Sequence, residues 1–274
     1  MPSAADRQHA IVAATVARLV RAPMIDLHSH LLPGVDDGPE TLEEALDILR
    51  SAAADGVKVI AATPHVRDDF PTTPEMIERG LDDVRRAVER ERIPIRVVGG
   101  AELALDRLPL LSSGELARFG LDGGRYLLVE APYVGWPLDL AHRLFELQVR
   151  GFTPVIAHPE RNTEIQLMPE LLRSHVERGS LVQVTAASLD GRLGKRTAEA
   201  GRKLVVTGLA HLIASDAHAA QIRKTGLSHA AAAVKDQRLA WWLVHDVPEA
   251  ILRGSELPPR PVPVTRRRFA WPRG

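Results

Sequence analysis

Short apolar, β-branched runs alternate with amphipathic helical patterns along most of this chain, and that alternation leaves few folds open. The runs are Val57 to Ala61, Ile95 to Val98, Tyr126 to Val129, Pro154 to Ala157, Leu181 to Val184 and Leu212 to Ala214. An earlier run, opening at Ile25, ends in His28-Ser29-His30. Apolar on both faces and bounded by charges or turn residues, they read as buried strands of a parallel sheet. Helical spacing occupies Thr41 to Ala54, Pro74 to Glu91, Leu138 to Arg150, Met168 to Arg178 and Arg196 to Leu209. Thr41 followed by Glu44 is a capping-box signature, and Gly56 stands just past the last apolar turn, so the first helix is delimited at both ends. A βαβα series of about seven strands makes either an open doubly wound sheet or a closed barrel. The glycine-rich dinucleotide fingerprint and the phosphate-binding P-loop are both absent, which favours a barrel.

The chain has 274 residues and is 45% hydrophobic, enough for one large α/β domain. Lys plus Arg and Asp plus Glu number 35 each, so no global field favours nucleic acid or an anionic membrane, and any anion selectivity must be local. With no cysteine there is no disulfide framework, no thiolate metal site and no thiolate nucleophile. No apolar run approaches the roughly 20 residues that span a bilayer. Ile11 to Val20 suits a short amphipathic helix better than a signal sequence, and a cytoplasmic protein is the simplest reading. From Leu257 onward the chain is proline-rich and basic, which reads as a disordered tail.

The chemistry is written at the strand ends. Ile25-Asp26-Leu27-His28-Ser29-His30 sets two imidazoles two residues apart, a spacing that turns both to one face of a strand. Alone, the pair is equally a metal site and a chance pair of buried histidines. Asp36 and Asp37 follow, however, and later runs lead to His65, Glu102, Glu130, His158, Asp216 and His218. Singly, each has a bland explanation: a hydrogen-bonded core histidine, the start of a solvated loop, a helix cap. Together they converge on the rim where barrels assemble active sites, and so many buried charges would desolvate badly without cations among them. Nitrogen and carboxylate oxygen without sulfur suit manganese, iron or zinc, and Glu102 is placed to bridge two ions. Asp26 shares the parity of the two histidines and either orients a ligand ring or serves structure alone.

The set Met-Ile-Asp-Leu-His-Ser-His, Val-Asp-Asp-Gly-Pro, Thr-Pro-His, Gly-Ala-Glu, Ala-His-Pro-Glu-Arg and Ala-Ser-Asp-Ala-His resembles the polymerase-and-histidinol-phosphatase (PHP) superfamily. Within it the chain is most similar to the metal-dependent protein-tyrosine phosphatases of bacterial capsular and exopolysaccharide operons, the CpsB/CapC/YwqE type, from about Met24 to about Arg253. The resemblance implies a distorted (β/α)7 barrel over residues 24–256 and three divalent metal ions, usually manganese. It allots His28, His30, Glu102 and Asp216 to the first ion. Glu102 as a bridge, with Glu130 and His158, goes to the second, and Asp37, His65 and His218 go to the third. Arg161, three residues after His158, and Arg223, five after His218, match the family's phosphate-holding basic positions.

The implied activity is hydrolysis of phosphotyrosine by a metal-bridged hydroxide. The implied substrate is the tyrosine-rich tail of a bacterial autokinase that governs polysaccharide synthesis, and relatives can also assemble into homo-oligomers. A small-molecule phosphatase, such as one for histidinol phosphate, and a non-catalytic metal-binding scaffold of the export complex are the other readings. Residues 1–23 read as an extension or an upstream start, and Asn162 stands where relatives often carry tyrosine.

Overall fold

The computed structural model describes residues 23–221 and 226–262. The helix expected over Ile11 to Val20 lies outside the described residues. Among the described residues ten strands carry the architecture: β1 (Met24–Asp26), β2 (Val57–Ala62), β3 (His65–Arg67), β4 (Phe70–Pro71), β5 (Arg96–Gly99), β6 (Glu102–Ala104), β7 (Tyr126–Glu130), β8 (Thr153–Ala157), β9 (Leu181–Thr185) and β10 (Leu212–Ala214). They form a three-stranded sheet, β1-β2-β5, and a seven-stranded sheet, β10-β9-β8-β7-β6-β3-β4. Every pairing is parallel except the short β3-β4 hairpin. Strands β7 and β9 are buried throughout their length, as expected of runs covered on both faces.

Helices cover the outside. The first, α1 (Leu42–Ala54), has both halves of the Thr41/Glu44 capping box and buries Ala45, Leu46, Ile48, Leu49 and Ala52. In α2 (Pro74–Glu91), the Thr73 hydroxyl caps the amide of Met76, Pro74 fills the first turn, and Ile77, Leu81, Val84 and Val88 face the core. Next come α3 (Ser113–Phe119), α4 (Leu140–Val149) and α5 (Lys195–Thr207). The single helix expected over Met168 to Arg178 is two pieces, a 3-10 turn at Pro169–Leu172 and an α-helical turn at Arg173–Glu177.

Two strands depart from expectation in a way that matters for the site. The runs expected to carry through to His65 and Glu102 stop at Ala62 and Gly99, and the two residues instead open β3 and β6, where they are direct partners. Pro64 has no N–H to continue the first ladder, and at Gly100, where a Cβ would lie 2.9 Å from the Leu121 side chain, the second run passes close to its neighbour between β5 and β6. Strand β1 likewise ends at Asp26, short of the histidines. Beyond it Ser29 forms an isolated parallel bridge with Ala217, held by Asp216 N–H to His28 O (2.9 Å) and His30 N–H to Ala217 O (2.8 Å).

The disordered tail expected from Leu257 is not what residues 257–262 form. Leu257 packs on the core, Trp242 Nε1 donates to Pro258 O at 2.9 Å, and Arg260 donates to the carbonyls of Ala210 and Val205. The guanidinium of Arg260 thereby satisfies a carbonyl at the C-terminal end of α5. Residues 263–274 lie outside the described residues.

Candidate metal centre

The segment Leu27 to Leu31 is pinned between neighbours by Ser29. Its hydroxyl donates to Ala61 O (2.6 Å), its N–H to Thr63 Oγ1 (3.1 Å), and its carbonyl accepts from Thr63 N–H (2.8 Å). With Ser29 turned to the scaffold, His28 and His30 project together, and their Nε2 atoms approach to 3.1 Å. Gly38 closes the loop that follows: a Cβ there would lie 2.3 Å from the carbonyl oxygen of His30, so only glycine fits.

The tautomers of the two rings are legible. Gln183 Oε1 accepts from the backbone N–H of His158 (3.2 Å), which identifies it as the amide oxygen, and so His28 Nδ1, 3.0 Å away, must be the protonated nitrogen. Asp36 Oδ2 accepts from the N–H of His65 (3.0 Å) and from His30 Nδ1 (2.6 Å). Both Nε2 atoms then carry lone pairs aimed at one point, as neutral imidazoles oriented for a metal do. Carboxylate oxygens surround that point: Glu102 Oε2 lies 3.4 Å from each Nε2, and Asp216 Oδ1 lies 3.7 Å from that of His28 and 3.4 Å from that of His30.

All the predicted ligand positions come together. Four overlapping groups have ligand atoms within 4.8 Å of one another: His28, His30 and Asp216; His28, Glu102 and His158; His65, Glu102 and Glu130; and His30, Asp37, His65 and His218. Glu102 is the hub, with Oε1 at 2.7 Å from His158 Nε2 and Oε2 at 2.9 Å from His65 Nδ1. Yet Glu102 Oε2 and His65 Nδ1, both buried, lack a hydrogen bond. This spacing suits a cation held among the groups, and the donor set of imidazole and carboxylate fits a hard or borderline divalent ion.

Burial by itself would neutralise these groups. It would raise the Glu102 carboxyl, but the adjacent His28 and His158 outweigh it and hold that carboxyl well below its usual range. Burial would likewise raise Asp216 and Asp37, yet His30 and His218 respectively hold them below it. The same fields work in reverse on His30 and His158, which burial would depress and the carboxylates raise. Carboxylates held in their ionised form beside imidazoles are ready ligands for a divalent cation, whose binding would displace the imidazole protons.

Arg161 sits on a 3-10 turn, Pro159–Arg161, whose first flanking residue, His158, has φ 30°. Asp216 has φ 52°, so two candidate ligands adopt the left-handed region that side chains usually avoid, a strain that recurs at functional sites. Glu160 anchors this turn to the end of β9 by accepting from Thr185 N–H (2.9 Å) and Ser188 Oγ (2.7 Å). Arg161 Nη1 donates to Asp216 Oδ2 at 2.7 Å, and its guanidinium lies 4.5 Å from the centroid of Tyr133. Arg223 lies outside the described residues.

The structure brings in residues that sequence reasoning missed or left unassigned. Gln183 and Asp36 orient the ligand rings. A polar residue inside the apolar run Leu181 to Val184 was the signal for the first, and proximity to Asp37 the signal for the second. Asp26, for which sequence parity left ring orientation and a structural role equally open, takes the structural one: it accepts from the N–H groups of Ser215 (2.9 Å) and His28 (3.4 Å), and burial lifts its carboxyl to about 6. Asn162 caps the helical turn after Arg161 and ties Pro132 O and Gly135 O, holding the loop that carries Tyr133.

A family model described as capsular polysaccharide synthesis, CpsB/CapC, matches residues 24–252. The chain belongs to the CpsB/CapC family. It is 32% identical over 246 residues to the tyrosine-protein phosphatase YwqE of Bacillus subtilis, covering 87% of this chain and 96% of that protein. It is 30% identical over 216 residues to the tyrosine-protein phosphatase CpsB of Streptococcus agalactiae, covering 76% and 88%. In three dimensions it matches a chain from the crystal structures of YwqE from Bacillus subtilis and CpsB from Streptococcus pneumoniae, described as unique metal-dependent tyrosine phosphatases. That match has TM-score 0.78 and 31% identity and covers 88% of this chain and all of the other. This CpsB/CapC member therefore shares the α/β fold of a metal-dependent phosphatase. Among the described residues no helix is long and apolar enough to cross a membrane.

Proposed function

We propose that this CpsB/CapC protein hydrolyses phosphotyrosine on a protein, using three divalent ions, manganese first among them. The convergence of the His28 and His30 lone pairs on the oxygens of Glu102 and Asp216 carries this reading. The ions would be held by His28, His30, Glu102 and Asp216; by Glu102, Glu130 and His158; and by Asp37, His65 and His218. The catalytic unit is residues 24–256. The runs β2-β3 and β5-β6, with the bridge between Ser29 and Ala217, support reading the two sheets as one distorted (β/α)7 barrel. The substrate we infer is the tyrosine-rich tail of a bacterial autokinase that regulates capsule synthesis, met in the cytoplasm.

Bound divalent ions supply Lewis acidity at phosphoryl oxygens and lower the pKa of water. The protein supplies the rest. Asp36 and Gln183 fix the His30 and His28 tautomers, and Glu102 offers one oxygen to each side of the cluster. Arg161 presents a guanidinium at the edge of the cluster, where it donates to nonbridging oxygens as charge develops. A departing tyrosyl oxygen has a conjugate-acid pKa near 10, lower than that of a seryl oxygen, and so depends less on a general acid.

Turnover of a phosphotyrosine peptide, a phosphoserine peptide and histidinol phosphate by manganese-loaded protein tests the reading, with the first expected to dominate. Preference for histidinol phosphate would reassign the substrate, and absence of all three activities in metal-replete protein would leave the scaffold. Arg161→Met is expected to lower turnover by roughly 100-fold while metal content stays constant. If metal content fell in step with turnover, Arg161 would be a support for Asp216 and not a phosphate ligand.

A further inference from the structure

Beside the cluster lies a cavity of about 370 Å³, set between the segments that follow β6 and β7. Leu105, Ala131, Pro132 and Pro137 form its apolar wall, and Tyr133 stands at its side. Glu130 borders both spaces: its carboxylate lies 3.9 Å from His65 Nδ1 and 3.9 Å from His158 Nε2, and it also lines the cavity. Tyr133 is shared in the same manner, because its ring lines the cavity and carries the Arg161 guanidinium 4.5 Å from its centroid. The two arginines at the cavity's edge are already engaged, Arg67 by Asp69 at 2.7 Å and Arg143 by Asp139 at 2.6 Å. The space is therefore apolar in its wall, rimmed by carboxylates, and shares Glu130 with the cluster and Tyr133 with Arg161.

Those properties select an occupant. A second anion would meet Glu130, Asp106 and Asp139, whereas a neutral flat ring would bury its faces against leucine, alanine and proline and meet another aromatic ring. We propose that this cavity is the subsite for the aryl group of the phosphomonoester and that Tyr133 is a specificity-determining residue there. The inference rests on the phosphatase reading for its substrate, but the subsite itself can be read by binding alone.

Calorimetric titration of metal-loaded protein with phenylphosphonate and with methylphosphonate measures the aryl preference without turnover. Tyr133→Ala opens the wall, and Ala104→Leu, from a β6 position lining the cavity, fills it. In both variants phenylphosphonate is expected to weaken by roughly tenfold or more relative to methylphosphonate, as loss of a ring contact and buried aryl surface implies, with metal content unchanged; methylphosphonate affinity itself is expected to stay constant in Ala104→Leu, whereas Tyr133→Ala, which also removes the ring beside Arg161, is read by the ratio of the two affinities. Equal affinity of the wild-type protein for both phosphonates would overturn the subsite, as would parallel weakening of both in the variants. An aryl preference without phosphatase turnover would instead sink the phosphatase reading and leave the subsite standing.

Discussion

At the residue scale, Gln183 governs two candidate ligands at once, the ring of His28 and the backbone of His158. Gln183→Leu keeps the volume and removes the acceptor, so His28 is free to take the other tautomer and a buried N–H is orphaned. Metal affinity should fall by roughly 10- to 100-fold, and stability by about 1–3 kcal/mol, measured by metal titration and by denaturant unfolding. Unaltered metal affinity would mean that the orientation of His28 is set elsewhere. The His-x-His pair and its acidic neighbours were legible in the sequence only as a set, because so many imidazoles and carboxylates following apolar runs would desolvate badly together without cations, although each alone has a bland explanation. The orienting glutamine was not, because nothing local to residue 183 says that residues 28 and 158 fold against it.

At the element scale, the C-terminal strap from Leu257 to Val262 and the approach to β10 meet at His211. Its Nδ1 accepts from Val182 N–H at 3.2 Å, and burial, with Arg260 nearby, pushes the imidazole down to about 4. The folded state thus prefers neutral His211, whereas the unfolded chain protonates it near 6.5. Between those values the unfolded state binds more protons, so this contribution is complete above about 6.5 and is lost as pH falls toward 4. Up to about 3 kcal/mol rides on it by this linkage. Denaturant unfolding at pH 7 and pH 5 should show a larger loss for the wild-type protein than for His211→Leu; equal losses would place the titration elsewhere. Helices α1 and α2 matched their sequence limits closely, since their caps and apolar spacing are local. The bend before Glu102 and the docked strap were not legible, because each depends on partners far along the chain, whereas the bend before His65 and the broken helix near Met168 have local prolines, Pro64 and Pro169, behind them.

At the scale of the whole molecule, the cluster gathers residues from His28 to His218, and a cation bound among them would bind the folded chain far more tightly than the unfolded one. Manganese at about 100 times its dissociation constant should then stabilise the protein by about 2.7 kcal/mol, with a matching rise in melting temperature that chelator reverses. Glu102→Ala, which removes the shared carboxylate, should abolish that dependence; a metal response of full size in the variant would show that the ions bind elsewhere. The amino-acid sequence by itself determined the α/β class, the limits of the well-capped helices and the chemical kind of every candidate ligand, because periodicity, capping and side-chain chemistry are properties of short segments. Only the tertiary structure decided that β2 and β5 bend so that His65 and Glu102 become strand partners. It alone brought Gln183 and Asp36 to the ligand rings and set an apolar cavity beside Glu130. Those outcomes depend on which distant segments pack together, and packing is a property of the whole chain.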